Sequence, residues 1–421
     1  MQSFLLLFFV VVFFLLLAWG LGRHLLFVFM IWFGHFWMAL SSGYLESGVY
    51  ITEQQRYSFE NSATSLLLFF EACFWLFVIL AVRALGFLFP VRRMFNYNYS
   101  GNLVVCLFAG VALVVLLLNV ALTGSPLFDD SLNRFNFWEN AQLPFLNKIL
   151  GNVASPIIVM VGVVYALSLD SSRRLLAKVA LFIFIGFLAY YVFMGQKFSM
   201  QLLAFSLFMP AVLFLRWQKN GRLNLRLSQV VGAASVALLL LGLVLWYYLK
   251  KHIDFVEGQG GVLNAVLYRA FGLQGHVWWG SVTEYQNGNV LTDPLGAMLN
   301  GMSTAMYAVS PVELVDRYLD AGVRFTMAYP GIALLSFGFL GTVFFQLLAG
   351  LLVGCLVFIC ERQLAERRLW GSILSLMLIS NFWMVLNMGE FVAIFSFKFI
   401  FPLTAIILLF LFSAATRRVG Y

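Results

Sequence analysis

Charge is scarce in this 421-residue sequence. Asp, Glu, Lys and Arg together make up 10% of it, far below the share that keeps a chain of this size dissolved in water. Cysteine is scarcer still. The four present, Cys73, Cys106, Cys355 and Cys360, lie in or at the ends of apolar runs, so no disulfide frame and no cysteine metal cluster is implied and each reads as a small packing residue. There is no Gly-rich phosphate loop, no Gly-x-Ser-x-Gly elbow and no His/Asp/Glu set at ligand spacing, which argues against a nucleotide-driven motor, a serine hydrolase and metal-assisted transfer. No Pro/Ser-type linker divides the chain, and no internal repeat of the kind that builds many transporters is visible. The start, Met1-Gln2-Ser3-Phe4, lacks a basic region and no small-residue cleavage site follows, so the first apolar run reads as a retained span.

What the sequence has in abundance is apolar side chains, 62% of all positions. They fall into eleven runs suited to a hydrocarbon core about 30 Å thick: 4–19, 25–40, 63–82, 102–122, 151–169, 179–194, 200–215, 229–248, 331–360, 371–388 and 396–415. The expected fold is all-α, a polytopic helical membrane protein forming one integral domain over residues 1–421, with a large loop at 249–330. Sixteen of the 26 Lys and Arg residues crowd into short alternate loops, among them Arg92, Arg93, Arg173, Arg174, Arg222, Arg367 and Arg368. Those loops are expected to be cytoplasmic. The N-terminus then lies outside, the C-terminus inside and the 249–330 loop outside. The net charge of +8 therefore reflects topology, not a nucleic-acid footprint.

Five outer segments carry the polar residues: 41–62 with Tyr44, Tyr50 and Tyr57; 123–150; the turn Gly195–Ser199; the long loop; and the stretch from Asn387 to Lys398, which holds Glu390. Within the long loop an interfacial helix is expected at Val262–Phe271 and another helix from Leu295 to Tyr307. Pro330 suits the start of the following span. Gly350 and Gly354 form a small-xxx-small pair, a signature of close helix packing. Glu71, in mid-span, is costly in lipid unless it faces the protein interior, where it either pairs with a cation or carries function. His35 and Asn387 are expected to hydrogen-bond between helices.

The sharpest chemical signal is Arg269 to Gly280, Arg-Ala-Phe-Gly-Leu-Gln-Gly-His-Val-Trp-Trp-Gly. A guanidinium binds phosphate with a fixed two-pronged geometry at any relevant pH. Trp278 and Trp279 offer flat faces for sugar rings, and Gln274 can donate to and accept from hydroxyls. The competing reading is a snorkelling arginine beside an interfacial tryptophan belt. Lys197, next to Gln196, is either a solvated turn residue or a cation facing a lipid diphosphate. Arg134 either pairs with Asp129, Asp130 or Glu139 or contacts substrate, and Arg324 either anchors to headgroups or binds phosphate. His276 is a candidate general base because imidazole titrates near neutrality. Asp130, Glu313, Asp316 and Glu390 compete for that role.

With these residues the chain resembles the Wzy-type O-antigen polymerases of Gram-negative inner membranes, within a superfamily of lipid-linked-sugar glycosyltransferases. The likeness rests on many spans with a late periplasmic loop, on Arg-x10-Gly (Arg269 and Gly280), on the Arg-x4-Gln-Gly-x2-Trp-Trp core, and on Phe-Thr-x3-Pro from Phe325 to Pro330. An earlier loop should carry a second arginine motif, but Arg134 has Phe145 where glycine is expected. The resemblance implies transfer of a growing glycan from undecaprenyl diphosphate to the non-reducing end of another lipid-linked repeat unit, in lipopolysaccharide biosynthesis and without metal, nucleotide or other cofactor. Arg269, Arg324, Lys197 and Arg134 would stabilise the diphosphate, Trp278 and Trp279 would hold sugars, and His276 or a carboxylate such as Glu390 would act as base. The implied partners are the lipid-linked oligosaccharides, membrane lipids and a chain-length regulator, with no nucleic acid. A glycan ligase and a flippase for the same lipid-linked unit are the alternatives. If Arg269 grips a diphosphate, Arg269→Lys is expected to lose most polymer while expressing normally, because an ammonium cannot reproduce the bidentate fork. The length distribution of the surface polysaccharide on a gel reads this directly.

Overall fold

The computed structural model describes residues 2–90, 100–129, 131–132, 136–146, 154–169, 174–196, 198–221, 271–320 and 322–418, together with Ser235, Gly242 and Tyr268. The expected span at 229–248 and almost all of the interfacial helix at Val262–Phe271 lie outside these residues. The described chain is overwhelmingly helical, and its β-structure is one pair of two-residue strands. Seven helical segments are long and apolar enough to cross a membrane, and two shorter apolar helices, Ala154–Leu169 and Phe397–Leu409, accompany them. The count differs from eleven for three reasons. One segment, Leu5–Leu45, contains two of the expected runs; two runs appear as the shorter helices; and one run is not described. The described chain groups into two compact units, Met1–Pro90 with Gln259–Ile359 and Met377–Tyr421, and Val91–Gly258 with Cys360–Leu376.

The first unit begins with α1 (Gln2–Leu21) and α2 (Leu25–Leu45), joined by a single 3-10 turn, Gly22–His24. Gly22 reverses the chain there with φ +53°, a conformation that costs glycine little. Strands β1 (Tyr50–Ile51) and β2 (Arg56–Tyr57) pair antiparallel, with Tyr50 opposite Tyr57 and Ile51 opposite Arg56. Helix α3 follows over Ala63–Leu88.

In the second unit α4 (Ser100–Thr123), the short α5 (Phe137–Asn140), α6 (Ala154–Leu169), α7 (Arg174–Phe193) and α8 (Phe198–Asn220) follow in order. Here α6 lies against α8 so closely that a Cβ on Gly162 would strike the backbone of Phe208. Asn102 on α4 donates to Ser168 on α6 at 3.0 Å. Between apolar helices such a bond satisfies groups that lipid cannot.

Chain order then returns to the first unit with α9 (His276–Gln286), α10 (Pro294–Asn300), α11 (Met302–Val309) and α12 (Val312–Asp320). Asp293 caps α10, its carboxylate accepting the N–H of Gly296 at 3.0 Å, and Pro294 fills the first helical position, a combination that fixes a helix start. The single helix expected over Leu295–Tyr307 is broken at Gly301, where φ +55° separates α10 from α11. Val277, Met298, Met302, Met306, Val315, Phe325 and Ile332 pack into a common core, so this part of the long loop is a folded layer.

Helix α13 (Gly331–Ala365) starts directly after Pro330 and is interrupted at Gly338, whose φ and ψ of 66° and −170° are not helical. Helices α14 (Leu369–Met388) and α15 (Phe397–Arg418) complete the chain. Where α13 meets α3, a Cβ on Gly350 would press on the Phe74 carbonyl and one on Gly354 on the Val78 carbonyl. The small-xxx-small pair is therefore a close backbone approach. Gly350→Leu is expected to lower stability by about 1–3 kcal/mol through overpacking. Gly86→Leu, at a position with nothing within 4 Å, is the control expected to leave thermal unfolding in detergent unchanged.

Candidate functional site

The polar residues of the first unit gather where α9 meets the segment between α2 and α3. Two glycines of the 269–280 motif are dictated by this packing. A Cβ on Gly275 would meet the Ser42 backbone nitrogen at 2.5 Å, and one on Gly280 would meet Gln54 at 2.7 Å and Val309 at 2.8 Å. The Ser41 hydroxyl reaches the carbonyls of Phe271 (2.7 Å) and Gly272 (3.0 Å) and accepts the N–H of Gly275 (2.7 Å). This ties down the turn that immediately follows Arg269.

From the hairpin side, Gln54 donates to the His276 carbonyl at 2.7 Å. Asn61 donates to the Trp279 carbonyl at 3.1 Å and to the Thr283 hydroxyl at 2.8 Å. Arg56 donates to Gln54 at 2.9 Å and to Glu284 at 3.0 Å, and its guanidinium lies 5.2 Å from the Trp279 ring centre.

Trp278 and Trp279 are both 0% exposed. The Trp278 indole N–H donates to the Ala63 carbonyl (2.8 Å) and that of Trp279 to the Phe59 carbonyl (3.0 Å). Their rings meet Phe70 and Phe59 edge-on. Neither offers a free face to a sugar; they are the anchors that hold α9 in place.

His276 is also 0% exposed. Its Nδ1 lies 2.8 Å from the Leu273 carbonyl, an acceptor only, so Nδ1 carries the proton and Nε2 presents a lone pair. Nε2 is buried with no hydrogen-bond partner, and the ring stands edge-on to Phe325 at 4.7 Å. Burial holds the imidazole below its ordinary pKa, outweighing the opposite pull of Glu53 and of the Leu273 carbonyl. His276 is thus neutral at physiological pH, and it lies beneath the surface.

Glu53 is a residue that the sequence reading did not single out. It is buried and accepts the hydroxyl of Tyr268, which in turn accepts the Thr52 N–H at 3.1 Å. Burial, and then the Glu53 charge, push the Tyr268 hydroxyl far above its usual range. The proton stays on the phenol, and Glu53 is held by Tyr268. Its only sequence signal was an acid inside a polar outer segment, shared with Glu46 and Glu60.

Three candidates fall in two side-chain contacts made from the segment 324–326. Thr326 donates to the Gln274 side-chain carbonyl at 2.8 Å, and the Gln274 amide nitrogen makes no hydrogen bond among the described residues. Arg324, two residues before Thr326, is 59% exposed and approaches Glu390 at 3.4 Å, a long, solvated pair of little intrinsic strength. Glu390 is held by backbone packing, because the Gly389 carbonyl lies against Gly301 where any Cβ would collide. The other carboxylates fall elsewhere: Asp316 accepts the Tyr307 hydroxyl at 2.6 Å, and Glu313 lies in the first turn of α12. Gln196 belongs to the second unit, where its N–H donates to the Tyr191 carbonyl at 3.0 Å. Arg269, Arg134, Lys197 and Asp130 lie outside the described residues. Among those described, no three His, Cys, Asp or Glu side chains come together in a way that could hold a metal ion.

Residues 297–403 match a family of unknown function, DUF6418. No curated protein and no solved structure matches the chain. The matched segment contains Arg324, Thr326 and Glu390 but stops short of Gln274, His276 and the tryptophans. Because Trp279 is interior, Trp279→Ala is expected to cost about 3–5 kcal/mol of stability. Thermal unfolding in detergent checks this, and Trp279→Phe, which keeps most of the ring, should recover a large part of it.

Proposed function

We propose that the chain is a lipid-linked-sugar glycosyltransferase of the O-antigen polymerase type. It would act on the periplasmic face of a bacterial inner membrane, with the N-terminus periplasmic and the C-terminus cytoplasmic. The observations that support this reading are an exposed guanidinium (Arg324) weakly paired with a carboxylate (Glu390) and, two residues on, a hydroxyl (Thr326) bound to an amide side chain (Gln274) whose nitrogen makes no hydrogen bond among the described residues. The turn bearing Gln274 is the one that follows Arg269. This is the chemistry that a sugar diphosphate leaving group requires: cations for the charge that develops on it, and hydrogen-bonding groups for hydroxyls.

In this mechanism Arg269 and Arg324 stabilise the departing undecaprenyl diphosphate. Gln274 and Thr326 orient the sugar. Glu390, released from its weak pairing when Arg324 turns to phosphate, accepts the proton of the acceptor hydroxyl. His276 supports the site from beneath and is not the base, since its free nitrogen is enclosed. Glu53 orders the Tyr268–Arg269 step.

A flippase is the less favoured reading. It would need charged groups lining a path, and the mid-span acid Glu71 is instead sealed against His35, both side chains 0% exposed. Deletion of the gene, followed by gel analysis of surface polysaccharide, separates the alternatives. A core capped with one repeat unit is expected, whereas bare core would overturn the reading in favour of a ligase or flippase. Purified protein given lipid-linked repeat units should make polymer in excess EDTA without nucleotide. Loss of polymer on chelation, restored by magnesium, would show that the cation-only site is wrong.

A further inference from the structure

Helices α10 and α12 belong to the same folded layer, yet they present opposite kinds of surface. The exposed side chains of α12 include Glu313, Asp316, Arg317 and Asp320, as expected of a helix washed by water. On α10 the buried residues are Ala297 and Met298, while Leu295 is 71% exposed and Leu299 is exposed as well. Four apart, these two leucines share one helical face. No residue of α10 is charged.

Helix α10 packs against a single 3-10 turn, Phe391–Phe395, which packs in turn on α15. Gly301, which ends α10, lies against the Gly389 carbonyl just before that turn. Phe391 is directed inward: its ring meets Tyr329 edge-on at 5.8 Å, and it packs on the core that holds Met298. Val392 and Phe395 are exposed, Phe395 at 66%. Side chains three apart eclipse in a 3-10 turn, so these two share a face. The turn and α10 thus each hold one apolar side against the core and leave a second apolar side uncovered by the chain.

The position of these elements says what covers them. The turn joins the end of α14 at Met388 to the start of α15 at Phe397. Helix α14 is long and apolar enough to cross a membrane, and α15 opens with the apolar stretch Phe397–Leu409. The exposed face of α15 begins at once with Phe397, Ile400 and Phe401. From Phe391 to Thr416 the only charged side chain is Lys398. The apolar surface of the turn is therefore continuous with the lipid-facing surface of a span. On the other side of α10 the Leu291 N–H donates to the Leu335 carbonyl at 2.9 Å, which pins the approach to α10 alongside the apolar start of α13.

We infer that α10 and the turn Phe391–Phe395 form a bilayer-docking edge, with Leu295, Leu299, Val392 and Phe395 inserted among phospholipid acyl chains just below the headgroups. Exposed apolar pairs on two adjoining elements at the mouth of a span are what an interfacial segment requires, and water would leave them unsatisfied where the acid-bearing face of α12 is not. Glu390, next to the turn, and Arg324, which approaches it, are then held at the depth of the lipid phosphates. The inference rests on the spans and on exposure, and it stands whether or not the chain is a transferase.

The test is photolabelling of the wild-type full chain in phosphatidylcholine–phosphatidylglycerol vesicles, with a phosphatidylcholine that carries a diazirine on the upper part of one acyl chain. Adducts located by mass spectrometry are expected on 294–300 and 391–395 at a density close to that on Phe397–Phe401, and severalfold above that on α12. A water-soluble diazirine should give the reverse order. Lipid adducts no denser on α10 than on α12 would overturn the inference. So would protection of 294–300 and 391–395 from both reagents, since a second copy or another protein would then cover the edge in place of lipid.

Discussion

Helix α9 and the 41–64 segment satisfy each other's polar groups, and the rest of the candidate site depends on that exchange. Gln54 and Asn61 donate to carbonyls of α9, while its two indole N–H groups donate to carbonyls at Phe59 and Ala63. Each bond contributes roughly 1 kcal/mol net, but leaving one of these buried groups unpaired costs about 1–3 kcal/mol. The interface is thus held less by attraction than by the penalty for opening it. That penalty fixes the turn at Phe271–Gly275, which in turn fixes Gln274.

The same logic runs through the helices. Besides apolar side-chain packing, their contacts include glycine against backbone, as at Gly350 on Phe74 and Gly162 on Phe208, and polar bonds inside an apolar surround, as between Asn102 and Ser168. Lipid supplies neither hydrogen bonds nor a hydrophobic drive between helices, so close fit and internal polar pairing carry the specificity.

Much of the helical architecture was legible because apolar runs of membrane length have few alternatives. The Gly350/Gly354 contact, the interhelical bonds of His35 and Asn387 and the inward placement of Glu71 were also readable, the last three from polar residues out of place in lipid. The tryptophans were not. A Trp-Trp pair beside Arg and Gln reads equally well as a sugar platform or as an anchor, and the choice between them rests on partners at Phe59, Phe70 and Ala63, more than two hundred residues away in sequence. Glu53 was hidden for the same reason: its importance comes from Tyr268, and nothing local distinguishes it from Glu46 or Glu60. The break at Gly301 was missed because the collision that requires glycine there comes from Gly389, outside any window that a helical pattern samples.

That long separation has a consequence for how the chain is made. Gln54 lies 222 residues before the His276 carbonyl to which it donates, and the intervening chain includes Val91–Gly258, the longer segment of the second unit. At about 5–20 residues per second, synthesis of that interval takes roughly 10 to 45 s. Throughout that time the 41–64 hairpin has emerged while the helix that will answer its polar groups does not yet exist. The 41–64 segment must therefore wait with its amides and carbonyls kept by water, and it can close only after the more than two hundred residues that separate it from α9 have been made.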